Sequence, residues 1–212
     1  MYVPRPNVVS DADQIRAMVT AIGAAELVTV GKDGYPLCTR LPVVWDGDRL
    51  VFHIARANPH WRSVPSDGSV PALAVVTDAE AYVSPGWYAA KAEHGRVVPT
   101  WNYSAVQVAG RLRRIEDPEW LHAAVTLLTE QHEAQRPDPW AVTDAPAPFV
   151  AQQLKAIVGL ELVLSALDGK WKVTQNRSAA DRDGVARGLS EEVGSDEARA
   201  LGRQVAAPGA PD

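Results

Sequence analysis

Three short stretches of the sequence combine aromatic rings with polar side chains, namely HIARANPHW, YVSPGWY and VPTWNY. Aromatic residues offer flat faces for stacking, and the polar residues between them offer hydrogen-bonding groups. The rings are Trp61, Trp87, Tyr88, Trp101 and Tyr103, and the polar groups are Arg56, Asn58, His60, Ser84, Thr100 and Asn102. This mixture predicts a pocket for a planar ring system with an anionic tail. The alternative is that the tryptophans simply pack in the core.

The letters RANPHWR have the composition of a helix start with cations beside it. Asn58 is a favoured N-cap residue, and Pro59 suits the first helical position because its missing N–H has no helical partner there. The sequence therefore predicts a short helix over 59–64. Free N–H groups at its start, together with Arg56 and Arg62, would hold an anion such as a phosphate. The alternative is that both arginines are solvated and that Asn-Pro is a simple turn.

Several common catalytic arrangements are missing from the sequence. It contains no GxSxG nucleophile elbow, no GxxxxGK[ST] phosphate loop and no HExxH zinc motif. Its five histidines lack the close pairing that zinc sites use, so no metal site is expected. Haem needs a single axial ligand, for which His53, His60 and His94 are the candidates. Because no carboxylate pairs convincingly with a histidine, we expect a bound cofactor to supply the chemistry.

The elements that would position these residues are mostly strands. A helix is predicted over 10–22, followed by the β-rich runs ELVTV, PLCTRLPVVW and RLVFHIA, which GKDG and DGD separate with Asp-Gly hairpin signals. The later segment GLELVLSALDGKWKVTQNR is predicted to form a hairpin that turns at 168–169. The expected fold class is mainly β with flanking helices, α+β overall. A closed or nearly closed antiparallel barrel would bury five or six strands without exposed edges.

The chain of 212 residues is long enough for one sizeable core. We expect one domain over 1–189, with a helical insertion at about 117–157 that opens at Asp117-Pro118. Residues 190–212 are acidic and then rich in Ala, Pro and Gly, a composition that predicts a disordered tail.

The overall composition constrains partners and location. The formal net charge is −5, so direct DNA binding is disfavoured, since nucleic-acid affinity rests mainly on basic patches. No apolar run approaches the roughly 20 residues that span a bilayer, and the N-terminus lacks a signal-peptide core. We therefore expect a cytoplasmic protein without a membrane partner. The single cysteine, Cys38, fits a reducing compartment.

The motifs HIARANPHW, AYVSPGWY, AEHGRVVPTWNY and GKWKVTQNR, with the opening MYVP, closely resemble the PaiB family over roughly residues 1–189. That family is described as FMN-binding negative transcriptional regulators with the split-barrel fold of pyridoxamine-phosphate oxidases. The resemblance implies a homodimer of antiparallel split β-barrels that holds FMN, a small planar anionic cofactor, at or near the subunit interface.

The resemblance also implies that these motifs form the cofactor site. Together with the residue patterns above, it gives the expected cofactor-binding set: Arg40, His53, Arg56, Asn58, His60, Trp61, Ser84, Trp87, Trp101, Asn102, Gln175, Asn176 and Arg177. Two positions depart from the family, because relatives usually carry histidine where this chain has Arg40 and Gln107. A haem or flavin contact that those histidines make in relatives is not expected here, whereas Arg40 would add a positive charge for a cofactor phosphate.

The residues and the resemblance are compatible with two functions. The first is an FMN-binding flavin-dependent oxidoreductase, or a redox or metabolite sensor with a regulatory role. The alternative is a haem b enzyme that resembles piperazate synthase, with His53, His60 or His94 as the axial ligand. The central and terminal motifs of those synthases differ from AEHGRVVPTWNY and KWKVTQNR, which favours the flavin hypothesis.

Overall fold

The computed structural model describes residues 1–207, in which the chain alternates between two units. Unit 1 comprises Met1–Ile15, Thr77–Val106 and the described residues from Asp168 onward. Unit 2 comprises Arg16–Val76 and Gln107–Leu167.

Strands dominate unit 2, as the alternating apolar pattern predicts. Its strands are β2 (Ala24–Val30), β3 (Pro36–Pro42), β4 (Val44–Asp46), β5 (Arg49–Ala55) and parts of β6 (Val70–Val83), β7 (Thr100–Ile115) and β8 (Ile157–Lys172). The sheet order is β3-β2-β6-β7-β8-β5-β4, and the pairs β2–β3, β2–β6, β4–β5 and β5–β8 are antiparallel. Leu27, Phe52, Leu112 and Leu160 are fully buried on it; burial alternates along β2, whereas β5 and β8 bury consecutive residues.

Two of the three Asp-Gly signals form the predicted turns, whereas the third does not. Gly34 and Gly47 have φ values of 84° and 59°, which glycine adopts without strain. Gly169 instead lies inside β8 and pairs with Val9 of β1 (Val8–Val9). A Cβ at Gly169 would lie 2.8 Å from Cδ1 of Ile15, so this glycine permits close packing rather than a turn. The predicted hairpin at 168–169 is therefore wrong.

Helices flank the sheet of unit 2. The helix α1 (Ala12–Ile22) enters this unit, and the segment at 117–157 contains α3 (Pro118–Glu133) and α4 (Ala147–Leu154). The Asp117 side chain accepts the backbone N–H of Trp120, which fixes the start of α3. A Cβ on Gly159 of β8 would lie 2.2 Å from the Trp120 ring, so only glycine allows this helix to pack there.

Unit 1 has its own apolar cluster, built by the end of the chain. Besides β1 it contains α2 (Ala90–His94), α5 (Ala179–Arg187), a π-helical segment over Gly188–Val193 and α6 (Asp196–Ala206). Leu201 and Val205 of α6 pack in a buried cluster with Val185, Leu189 and Val83.

This helical end corrects the expectation of a disordered tail from residue 190. Ser195 caps α6 by accepting the backbone N–H of Ala198, and Ala198, Leu201, Gly202 and Val205 place one buried stripe on it. The prediction of disorder from composition is wrong because Ala and Gly count as signs of disorder there, whereas in α6 these small residues allow close packing. The part of the predicted tail at 208–212 lies outside the described residues. Within residues 1–207, no helix is long and apolar enough to cross a membrane.

Candidate functional site

The predicted helix start in HIARANPHW forms in unit 2 as a 3₁₀ helix over Pro59–Ser63. The Asn58 side chain accepts the backbone N–H of His60 at 3.0 Å, and Pro59 takes the first helical position. The capping prediction is confirmed, although the helix is one turn and a half of the tighter type.

The ring of His60 is buried and engaged at both nitrogens. Its Nε2 is 2.9 Å from Oγ1 of Thr29, and its Nδ1 is 2.8 Å from Oγ1 of Thr39. A neutral imidazole can donate at one nitrogen and accept at the other, which suits two hydroxyl partners. Burial lowers the pKa of His60, in agreement with a neutral ring. Iron ligation by His60 would require breaking one of these hydrogen bonds.

Trp61 lies among three arginines, and we call these four residues the Trp61 group. The guanidinium carbons of Arg56, Arg62 and Arg114 are 5.7, 5.4 and 5.1 Å from the indole ring, within the range of cation–π contacts. The indole Nε1 donates to the carbonyl of Arg56 at 2.9 Å, which fixes the ring.

The three arginines of the Trp61 group differ in their partners. Arg56 donates to Glu116 at 2.6 Å and to the backbone carbonyls of Lys155 and Ile157, so its side chain is tied to the fold. The Nε atom of Arg114 is buried without a hydrogen-bond partner and lies 3.8 Å from Glu116. Arg62 is exposed and has no ion pair among residues 1–207. Two of the three cations therefore retain free donors.

Two further residues of the predicted set lie on the strands of unit 2. His53 on β5 is opposite Gly159, burial lowers its pKa, and its Nδ1 is buried without a hydrogen-bond partner. Arg40 on β3 is the cross-strand partner of Glu26 on β2 and forms an ion pair with it. The charge of Arg40 is thus already compensated, although its side chain is largely exposed.

Unit 1 contains a cleft of about 270 Å³ between the N-terminal segment, the start of β7 and the end of β8. Its polar lining includes Asn102, Lys172, Thr174, Gln175, Asn176 and Arg177, four of which belong to the predicted cofactor set. We call this the unit 1 cleft.

The other three predicted residues of unit 1 do not line this cleft. Ser84 caps the turn Pro85–Trp87 by accepting the N–H of Gly86, and the Trp87 ring packs against Gly188. Trp101 is 47% exposed and donates from Nε1 to Glu80 at 3.3 Å. Ser84 and Trp87 thus have evident structural roles.

Asn102 and Thr174 form an unusual pair in the unit 1 cleft. Asn102 is 1% exposed, and its Nδ2 donates to Oγ1 of Thr174 at 2.6 Å, but its Oδ1 has no partner among residues 1–207. Thr174 has φ of 64°, a left-handed conformation that a β-branched residue rarely adopts. An unpaired buried acceptor and a strained backbone both destabilise a fold, and both tend to mark functional sites.

Two cations lie beside this pair. Lys172 donates to Oγ1 of Thr100 at 2.7 Å and to the carbonyl of Trp101 at 2.6 Å. Burial lowers the pKa of Lys172, and the neighbouring charge of Lys170 lowers it further. The Arg177 guanidinium lies 4.8 Å from the Tyr88 ring and has no ion pair among the described residues. Burial raises the pKa of Tyr88, the Arg177 charge opposes this, and Asp181 adds to it.

The third haem candidate, His94, is the last residue of α2 and is exposed. Its Nδ1 accepts the backbone N–H of Arg96 at 3.0 Å. Among the described residues, no group of three or more His, Cys, Asp or Glu side chains is placed to hold a metal ion.

Sequence reasoning missed Arg114 and Thr174. Arg114 belongs to the basic run RLRR, which by itself suggests only a patch for nucleic acid. Its contact with Trp61 joins residues far apart in the chain and has no local signal. Thr174 lies inside the motif KWKVTQNR, but nothing in that sequence indicates a positive φ at a threonine.

Comparison with solved structures identifies the class of protein. The FAD and heme binding protein from Mycobacterium smegmatis matches with a TM-score of 0.59 at 17% identity, over 78% of this chain and 73% of that chain. A conserved hypothetical protein from Mycobacterium tuberculosis matches with a TM-score of 0.60 at 16% identity, over 84% and 94%. The fold is an antiparallel split β-barrel with flanking helices, which confirms the predicted class.

The sequence comparisons give the family. Residues 1–166 match the family described as "Putative FMN-binding domain". The chain is 30% identical to "Protease synthase and sporulation protein PAI 2" of Bacillus subtilis over 196 residues, which cover 91% of this chain and 90% of the relative. The protein belongs to this family, and the resemblance to PaiB proteins seen in the sequence is confirmed.

Proposed function

We propose that the protein binds FMN and that Arg62 and Arg114 of the Trp61 group hold its phosphate. The main support is the buried Nε of Arg114, which has no hydrogen-bond partner among residues 1–207. A phosphate oxygen would satisfy this donor with a charge-assisted hydrogen bond. Glu116 pairs with Arg56 and Arg114, and Arg62 has no ion pair among residues 1–207, so the Trp61 group carries excess positive charge that an anion would neutralise.

Family membership supports a flavin as the molecule that carries this phosphate. FMN is our choice because of the family description, and FAD is the competitor because a structural relative is described as binding FAD. His53 is a second residue that a polar ligand could contact, since its buried Nδ1 has no hydrogen-bond partner among residues 1–207. A bound flavin would supply hydride or electron transfer, for which the chain itself offers no obvious acid–base pair.

We propose a flavin-dependent oxidoreductase or a redox or metabolite sensor that acts as a homodimer. The dimer rests on the PaiB resemblance, and light scattering of the purified protein tests it. A regulatory role is supported by the name of the Bacillus subtilis relative, which refers to protease synthase and sporulation. Such a role would be indirect, because a net charge of −5 disfavours affinity for DNA. A salt-sensitive gel shift at low protein concentration would contradict this.

The first experiment is the absorbance spectrum of the purified protein, repeated after separate additions of FMN, FAD and haem. We expect the bands of an oxidised flavin, either at once or after FMN addition. A protein that takes up neither flavin rules the proposal out. A Soret band without flavin uptake would favour the haem alternative, with His53 as the candidate whose Nδ1 is free.

The phosphate assignment needs a comparison of two ligands. Riboflavin has the same ring as FMN but lacks the phosphate. The double variant Arg62→Gln/Arg114→Gln should weaken FMN by about tenfold or more and leave riboflavin unchanged, because only the phosphate contact is lost. Arg136→Gln, an arginine just after α3 that pairs with Glu133, is the matched control. Equal weakening of both ligands would show that the arginines do not bind the phosphate.

A further inference from the structure

The unit 1 cleft contains polar groups that the flavin proposal does not use. Asn102 lines it with a side chain that is 1% exposed, and its Oδ1 has no hydrogen-bond partner among the described residues. Buried amide oxygens are nearly always hydrogen-bonded, because an oxygen without a donor loses its hydrogen bonds to water and gains none in the protein. A ligand with an N–H donor would complete this group.

Thr174 adds an independent observation. Its φ of 64° is unfavourable for a β-branched side chain, and yet its Oγ1 is held 2.6 Å from Nδ2 of Asn102. This hydrogen bond uses the donor end of the amide and so leaves the acceptor end available. The strained backbone of Thr174 thus coincides with the unpaired amide oxygen, and backbone strain of this kind concentrates at ligand-binding sites.

The charges of the cleft favour an anion. Lys172 uses two of its three N–H donors on Thr100 and on the carbonyl of Trp101, so one donor remains. The Arg177 guanidinium stacks over Tyr88 and has no ion pair within residues 1–207. None of the described residues that line the cleft is acidic. A carboxylate would find two positively charged partners there.

The size limits the ligand further. About 270 Å³ lies at the lower end of the range for ligand pockets, and Pro6, Val98 and Pro99 supply apolar lining. We propose that the unit 1 cleft binds a small molecule with a carboxylate and an adjacent N–H donor, the pattern of an α-amino acid. Arg177 and Lys172 bind the carboxylate, and Oδ1 of Asn102 accepts the N–H.

Three probes that share a butyl chain test the two halves of this pattern. L-Norvaline carries both groups, pentanoate lacks the amine, and butylamine lacks the carboxylate. Ligand-observed NMR titration of the full chain should rank norvaline about tenfold tighter than either of the others, because each alone leaves one side of the cleft unpaired. Absence of norvaline binding up to about 50 mM, well beyond the millimolar range of weak fragments, overturns the proposal.

Variants separate the contributions. Arg177→Gln and Lys172→Gln should each weaken norvaline and pentanoate about fivefold or more and leave butylamine unaffected. The matched controls Arg203→Gln on α6 and Lys91→Gln on α2 are exposed, lie outside the cleft lining and should change nothing. Asn102→Leu should reduce norvaline to the affinity of pentanoate. If that variant fails to fold, the isosteric Asn102→Asp should favour butylamine over pentanoate, and an unchanged ranking contradicts the role of Asn102.

Two competitors decide between this ligand and others. Saturating the protein with FMN should leave norvaline binding intact, whereas its loss would assign the cleft to the flavin and defeat this inference without touching the proposed function. Conversely, a protein that binds norvaline but no flavin upholds this inference alone. Inorganic phosphate that binds tighter than norvaline and depends on Arg177 would show that the cleft takes a phosphate, which also overturns it.

Discussion

His60 in unit 2 and Asn102 in unit 1 are both polar, both buried and both part of motifs that predict a cofactor site. His60 is 5% exposed, and each ring nitrogen has a threonine hydroxyl as partner. Asn102 is 1% exposed, and its amide oxygen Oδ1 has no hydrogen-bond partner within residues 1–207. Burial alone therefore does not distinguish structural from ligand-binding polar residues, whereas hydrogen-bond satisfaction does.

The arginines repeat this contrast. Arg56 gives its donors to Glu116 and to two backbone carbonyls, so it stabilises the fold around Trp61. Arg177 retains its donors, since the described residues offer it an aromatic ring and no carboxylate. Each half of the comparison predicts how stability responds when the residue is removed.

The largest effect is expected for His60→Leu. The variant removes the ring partner of the buried Thr29 hydroxyl and of the half-buried Thr39 hydroxyl, at roughly 1–3 kcal/mol for each group left unsatisfied. We expect a loss of about 3 kcal/mol in the free energy of unfolding, measured by urea denaturation. The Ser63 hydroxyl, 2.9 Å from Thr29, can offset part of the loss. A loss below about 1 kcal/mol would show that the network is not structural.

A smaller effect is expected from acidification. Burial lowers the pKa of both His53 and His60 below the ordinary value near 6.5. At acidic pH the unfolded chain therefore binds more protons than the folded chain, which favours unfolding. Stability is therefore complete above about pH 7 and declines as the pH falls below 6.5, by at most about 1.4 kcal/mol per pH unit for each histidine. Urea midpoints between pH 5 and 8 measure this decline. His60→Gln should reduce it.

The sequence correctly predicted the features that depend only on residues adjacent in the chain, namely a helix cap and two turns. The Asn58 cap bonds two residues ahead, and the turns at Gly34 and Gly47 need only a positive φ. The same reasoning failed at Gly169, because the packing of Ile15 against it has no local signal. It failed again at α6, where small residues pack against a cluster that composition does not reveal.

The site chemistry depends on contacts between distant residues. His60 meets partners 31 and 21 residues away, and Asn102 meets Thr174 across 72 residues. The sequence motifs indicated Asn102 and Arg177 as site residues, but only the fold shows which of their polar atoms have hydrogen-bond partners. The family predicted the split barrel because its motifs extend over most of the chain, whereas roles inside the motifs depend on hydrogen bonds that the sequence does not specify.

A third prediction isolates the backbone strain at Thr174. Alanine normally exceeds glycine in stability by about 0.5–1 kcal/mol within regular structure. At φ of 64° the order should reverse, because an L side chain is strained there and glycine is not. We expect Thr174→Gly to be about 1 kcal/mol more stable than Thr174→Ala, with both lacking the Oγ1 contact to Asn102. Equal stability of the two variants would mean that Thr174 carries no strain.

The smallest effect is expected for Asn102→Leu, although Asn102 is the more deeply buried member of the opening pair. Its loss removes the hydrogen bond to Thr174, worth about 1 kcal/mol, and also removes an acceptor whose unpaired burial costs a similar amount. The two terms nearly cancel, so urea denaturation should give a change within about 1 kcal/mol. Because His60→Leu is expected to cost about 3 kcal/mol, the difference between the two variants is the critical quantity. If Asn102→Leu destabilises the fold as much as His60→Leu, then Oδ1 of Asn102 has a structural partner, and its position in the cleft would serve the fold rather than a ligand.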